Sequence, residues 1–189
     1  MKRALTALIL SLAGAAALAQ PAKAPSAPTN DDCLTCHEDP AAKRANGTTV
    51  FVAKDRFSAS VHGEAGLACA DCHVDLATTA DFPHAEKLAP AQCQSCHGDV
   101  AAEYAKSAHA LARKTAGSLA ATCADCHTAH EIRSAKDPTS PTYVLNLPST
   151  CGRCHGNADV IRKGHIAIGN VVTLYQDSIH AKALNKSGL

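Results

Sequence analysis

The chain of 189 residues has no tryptophan, only three phenylalanines and three tyrosines, and a single methionine, at position 1. Much of its apolar content is alanine, which buries little area per residue. A core assembled from such side chains would be meagre, so something other than the polypeptide has to supply apolar bulk. Beyond the first nineteen residues no apolar run approaches the ~20 residues a membrane span needs. An excess of one charge sign is missing as well: 18 Lys and Arg stand against 17 Asp and Glu. There is no basic stripe, which excludes a nucleic-acid-binding surface.

The start of the chain, "MKRALTALILSLAGAAALA", has basic Lys2 and Arg3, an apolar run, and an A-x-A site at Ala17-Leu18-Ala19. This is the pattern of a secretory signal peptide over 1–19, with cleavage expected before Gln20. The run is short for a retained anchor, and no cysteine lies nearby to carry lipid. Residues 20–30 read as a flexible Pro/Ala-rich segment. The expected address is the periplasm, or onward to the extracellular side, with nothing spanning the membrane after cleavage.

Ten cysteines in an exported protein would ordinarily suggest disulfides. Here they fall in five C-x-x-C-H motifs with none left over: Cys33, Cys36 and His37; Cys69, Cys72 and His73; Cys93, Cys96 and His97; Cys123, Cys126 and His127; Cys151, Cys154 and His155. Zinc sites have no need of a histidine after each pair, and disulfides need no fixed spacing. C-x-x-C-H is the attachment signature of c-type haem. Two sulfurs about one turn apart meet the two vinyl groups of one porphyrin, and the histidine becomes the proximal iron ligand. Five covalent, thioether-linked haems c, with their iron, would also provide the missing apolar filling.

Six histidines remain: His62, His84, His109, His130, His165 and His180. Without methionine in the mature chain, a sixth ligand falls to histidine, so low-potential bis-histidine iron is expected. His62, His109 and His180 share one context, an aromatic residue five positions earlier (Phe57, Tyr104, Tyr175) and a serine two earlier (Ser60, Ser107, Ser178). On a helix the aromatic would pack beside the porphyrin that the histidine ligates. His130 stands three residues after a proximal histidine, too close for the same haem but within reach of a neighbouring one. His84 follows a stiffening proline. These five are read as distal ligands. His165 shares neither context and is read as a non-ligand.

The order of motifs repeats. A two-haem module occupies about 57–100 and again about 104–156, within a haem-binding domain expected over 31–189. The same 25 residues separate His37 from His62 and His155 from His180. The tail therefore reads as the opening of a third module, and the natural protein is expected to continue past Leu189. "VVTLYQDSIHAKALN" would place Val171, Tyr175 and Ile179 on one helical face. "GTTVFV" would form a short strand or hairpin.

With "SVHG…CADCH" and "CADCHTAHEI", the chain resembles periplasmic multihaem c-type cytochromes of the class III and tetrahaem cytochrome kinds. The resemblance implies a mainly α fold with much irregular structure. Short helices and loops would wrap a chain of packed haems, with little or no sheet. It implies electron transfer, not catalysis. Expected partners are redox proteins such as a quinol-oxidising membrane complex or a terminal reductase. Loss of Lys2 and Arg3 leaves a net charge of −1. Haem would carry this to about −6 oxidised and about −11 reduced if both propionates ionise, favouring basic docking patches. Two alternatives stand beside the carrier. One is a reductase of nitrite, hydroxylamine or a sulfur oxyanion, which needs one open iron; the other is a subunit of an extracellular haem filament.

Overall fold

The computed structural model describes residues 27–79 and 81–187. The predicted signal peptide and residues 20–26 lie outside that range. The described chain folds into short helices joined by turns. In order they are α1 (Asn30–His37), α2 (Lys54–Ser58), α3 (Val61–Glu64), α4 (Cys69–Cys72), α5 (Gly98–Lys106), α6 (Ala108–Ala116), α7 (Cys123–His127), α8 (Leu147–His155), α9 (Ala158–Lys163), α10 (Val171–Asp177) and α11 (Ile179–Ser187). No strand forms among the described residues. "GTTVFV" contributes only a single antiparallel bridge, Lys43 to Thr49. Around that bridge the Arg44 N–H donates to the Thr48 carbonyl at 2.9 Å and the Val50 N–H to the Ala42 carbonyl at 3.1 Å, and beyond it the Val52 N–H turns to the His37 carbonyl at 2.7 Å. The fold is thus mainly helical and irregular, as the sequence implied.

Polar side chains start these helices. The Thr29 hydroxyl accepts from the Asp32 N–H, and the Asp32 carboxylate accepts from the Thr29 N–H at 2.8 Å, a capping box at α1. In both "CADCH" motifs the aspartate does the same for its own turn. Asp71 accepts from the Ala68 N–H and Asp125 from the Thr122 N–H, each at 2.7 Å. The residue between the cysteines is therefore what closes the helical turn that carries them.

The aromatic-x-x-Ser-x-His pattern turns out to be a helix break. Ser60, Ser107 and Ser178 all leave the helical region, with ψ near 159°, 157° and 156°. Each serine N–H donates back to the carbonyl of the aromatic residue (Phe57, Tyr104, Tyr175) at 2.8–3.0 Å. Each serine Oγ then accepts from the N–H three residues on, at Gly63, Ala110 and Ala181. The hydroxyl offers the backbone a partner outside the helix, so one continuous helix gives way to two. His62, His109 and His180 thereby stand at the second position of a fresh helix. Val171, Tyr175 and Ile179 do not share a helical face, because Ser178 separates α10 from α11, and Ile179 is 80 % exposed.

Apolar burial is as sparse as composition suggested. Among the described residues the buried apolar side chains are Leu34, Ala70, Ala120 and Ala181, all within or beside the motifs. The two repeats are tied to each other by polar links. The Val61 N–H donates to the Ile132 carbonyl at 2.9 Å, and Arg56 pairs with Glu131 at 3.1 Å. The Cys69 N–H donates to Asn30 Oδ1 at 2.7 Å, joining α1 to α4.

At Gly63 the break is tightest, since a Cβ there would lie 2.1 Å from the Phe57 carbonyl oxygen. Gly63→Ala is expected to cost about 1–3 kcal/mol, because the clash is with backbone that has to shift. The reverse change at the matching position, Ala110→Gly, is expected to cost about 1 kcal/mol or less. Thermal melting followed by circular dichroism compares the two.

Candidate haem-binding site

Each cysteine pair occupies one helical turn with its histidine at the turn's end. The His73 and His97 N–H groups donate to the carbonyls of Cys69 and Cys93, both at 2.9 Å. Cys123–His127 is α7 itself, and the first and fifth motifs end α1 and α8. No disulfide joins any two of the ten cysteines. Among the described residues no three His, Cys, Asp or Glu side chains converge as a bare metal ion would require.

The thiols of successive motifs approach one another in chain order. Burial, followed by the neighbouring Cys33 thiol, pushes the Cys69 thiol up to about 11. Burial raises Cys72 as well, with Cys93, Asp71 and Cys96 adding to it. Cys123 is raised by burial and then by Cys93, and Cys126 by burial and then by Cys151. The Arg153 guanidinium donates to the Asp125 carbonyl, fastening the fifth motif to the fourth.

Eight histidine rings face one another in four pairs. His37 and His84 lie with centroids 6.0 Å apart and planes within 1°. His62 and His97 are separated by 5.9 Å, His73 and His130 by 6.3 Å, and His109 and His155 by 6.0 Å. Each pair joins one C-x-x-C-H histidine to one of the lone histidines. These spacings are too long for a direct hydrogen bond between ring nitrogens, which would bring the centroids to about 5 Å. A metal–nitrogen bond of about 2 Å on each side, plus roughly 1 Å from nitrogen to ring centre, separates two axial imidazoles by roughly 6 Å. The slot between the rings fits an iron.

Ring orientation agrees at the first pair. His37 Nδ1 contacts the Val50 carbonyl oxygen at 2.8 Å, and His84 Nδ1 the Ala85 carbonyl oxygen at 2.8 Å. With Nδ1 carrying the proton in both rings, each Nε2 keeps its lone pair for a metal. Burial holds the imidazoles of His73 and His130 below the ordinary histidine range, which favours the neutral, ligating form. His73 Nδ1 is buried without a hydrogen-bond partner.

The remaining three histidines behave differently. Among the described residues no imidazole is set opposite His127, His165 or His180. His130 leaves His127 because Thr128, directly between the two segments, adopts φ 65° and ψ −177°, turning the chain toward His73. His165, at φ 51°, occupies the left-handed position after α9. The Ile166 N–H donates to the Ile161 carbonyl at 3.0 Å across it, which is a Schellman C-cap. A histidine there serves the backbone. His180 sits in the same serine-capped break as His62 and His109, exposed to solvent. The pairing of particular rings across the chain was beyond sequence reasoning, although each pair's members were all singled out by it.

His165→Gly is expected to leave the haem absorption and spin state unchanged. It should add about 1 kcal/mol of stability by relieving the left-handed conformation. His130→Ala, which removes the ring opposite His73, is expected to change the spin state of one iron; electron paramagnetic resonance reads both.

Residues 61–156, just over half of the chain, match the cytochrome c3 family, and this stretch contains the second to fifth C-x-x-C-H motifs. No curated protein and no solved structure matched the chain. No described helix is long and apolar enough to cross a membrane. Paired imidazoles at iron-ligand spacing, cysteine turns beside them and the match over 61–156 all lead to one assignment: this chain belongs to the cytochrome c3 family, a family of haem-c electron carriers.

Proposed function

We propose that the protein is an exported five-haem electron carrier whose irons are mostly held between two histidines and work at low potential. The observation that carries this reading is the recurrence of imidazole pairs 5.9–6.3 Å apart, four times over. When bound, haem c supplies a reversible one-electron iron couple. The Cys33–Cys36, Cys69–Cys72, Cys93–Cys96, Cys123–Cys126 and Cys151–Cys154 pairs would hold it through thioethers, beside His37, His73, His97, His127 and His155.

The paired rings do two things. With haem bound they would hold its iron from both sides, leaving a substrate no place at those centres, and each would offer a neutral nitrogen donor. With histidine, and no methionine, as the second donor, the oxidised state is favoured. The hydrogen bond from Cys69 to Asn30 ties the second motif to the helix of the first, and that from Arg153 to Asp125 ties the fifth to the fourth, which supports a wire whose order is that of the sequence. Its two ends would then be the first and fifth motifs.

Export through the 1–19 leader would place the carrier in the periplasm. There it would serve as a relay between a quinol-oxidising membrane complex and a terminal reductase, through partners with basic docking patches. The acidity conferred by the haem propionates makes such docking salt-sensitive.

Mass spectrometry of the holoprotein is expected to find five covalently added haems. A redox titration is expected to place their potentials below those of methionine-ligated c-type centres. Electron transfer to a basic partner should slow as ionic strength rises. Fewer than five additions, or a rate indifferent to salt, would count against this reading.

A further inference from the structure

The histidines do not close evenly. Within the family-matched stretch there are four C-x-x-C-H histidines (His73, His97, His127, His155) and four lone ones (His62, His84, His109, His130). Three of the lone histidines face partners in that stretch, but His84 faces His37, outside it. One C-x-x-C-H histidine, His127, is therefore left without a counterpart. Its natural neighbour, His130, is turned away by the left-handed Thr128, whose hydroxyl is buried and without a hydrogen-bond partner. His127 and Cys123 are exposed.

Toward the C-terminal side, His180 is exposed and faces no C-x-x-C-H histidine among the described residues. His180 stands on the same construction as His62 and His109: an aromatic carbonyl receiving the serine N–H, and a serine Oγ capping the next turn. In the first two cases that construction delivers a ring to 5.9 and 6.0 Å from a C-x-x-C-H histidine. In the third the ring is exposed, beside Ile179 at 80 % and Leu174 at 54 % exposure. α10 is seated on α8, where a Cβ at Gly152 would lie 3.7 Å from Val172. That packing fixes where the α10–α11 break emerges.

We propose that the coordination position opposite His127 accepts an imidazole from outside its own chain, and that His180 of a second copy is that imidazole. Each chain then carries one acceptor and one donor, rimmed by exposed apolar side chains that contact with a porphyrin edge would cover. Closure can be mutual, giving a two-fold dimer, or can run head to tail. This rests on the haem-binding reading above. The ligand chemistry, a neutral imidazole, could come from His180 of the same chain, from a second copy or from another protein, and one experiment separates these sources.

Ferric holoprotein is examined by electron paramagnetic resonance over a dilution series, with molecular mass followed by sedimentation. Dilute protein should be monomeric with one high-spin iron. Raising the concentration should convert that iron to low spin together with a rise in mass. His180→Ala should stay high-spin at every concentration, and free imidazole should convert it to low spin with no change in mass. Low spin at every iron in the dilute monomer would overturn the proposal, because the chain then closes its own position. A high-spin iron in the parent that persists at high concentration would overturn it as well, leaving a foreign protein or a small molecule as the ligand. Haem content, measured by mass on the same sample, tests the five-haem reading separately.

Discussion

Everything in this structure depends on holding pairs of imidazoles roughly 6 Å apart with polypeptide alone. Four such pairs form, although the chain has almost no apolar interior to press them together. The means are local and polar. Capping aspartates close the cysteine turns, serines break helices at fixed register, and backbone carbonyls orient rings. Individually these contacts contribute about 1 kcal/mol each, which is little against the entropy of ordering such a chain. The stability of the holoprotein must therefore come largely from the cofactors, and the protein's part is to decide where they go.

How the ligands are distributed follows from this. His62 and His109 each serve a C-x-x-C-H histidine further along the chain, His97 and His155. His84 and His130 each serve one behind them, His37 and His73. Forward and backward pairings alternate, so neither repeat holds the partners of all its own histidines. The hydrogen bond from Val61 to Ile132 and the Arg56–Glu131 pair stitch the same segments together from outside. The exposed ion pair adds little energy by itself; with the hydrogen bond it keeps the segments that carry His62 and His130 in register.

Much of this was legible in the residues. The five cysteine motifs, the split of the histidines into two kinds and the poverty of the core are compositional facts with a direct chemical meaning. The recurring serine before His62, His109 and His180 was visible too, but its role was misjudged. A helix was expected to carry both the aromatic residue and the histidine, whereas the serine hydroxyl ends one helix and caps the next, and the aromatic residue contributes its carbonyl. The short strand or hairpin expected in "GTTVFV" is reduced to one antiparallel bridge around a tight turn, since beyond it the backbone bonds to His37. The pairing of rings could not be read at all. It depends on where turns such as Thr128 send the chain, and sequence pattern says nothing about contacts between residues 35 or more positions apart.

The alternation of ligands has a topological consequence. The spans from His37 to His84, His62 to His97, His73 to His130 and His109 to His155 overlap without a gap. Once each is closed through a metal, every peptide bond between His37 and His155 lies inside at least one ring, as masonry joints are staggered so that no crack runs through. Such closures restrict the unfolded chain as cross-links do. A single backbone cut anywhere in this stretch would leave both fragments fastened to each other, so continuity of the assembly no longer depends on continuity of the polypeptide.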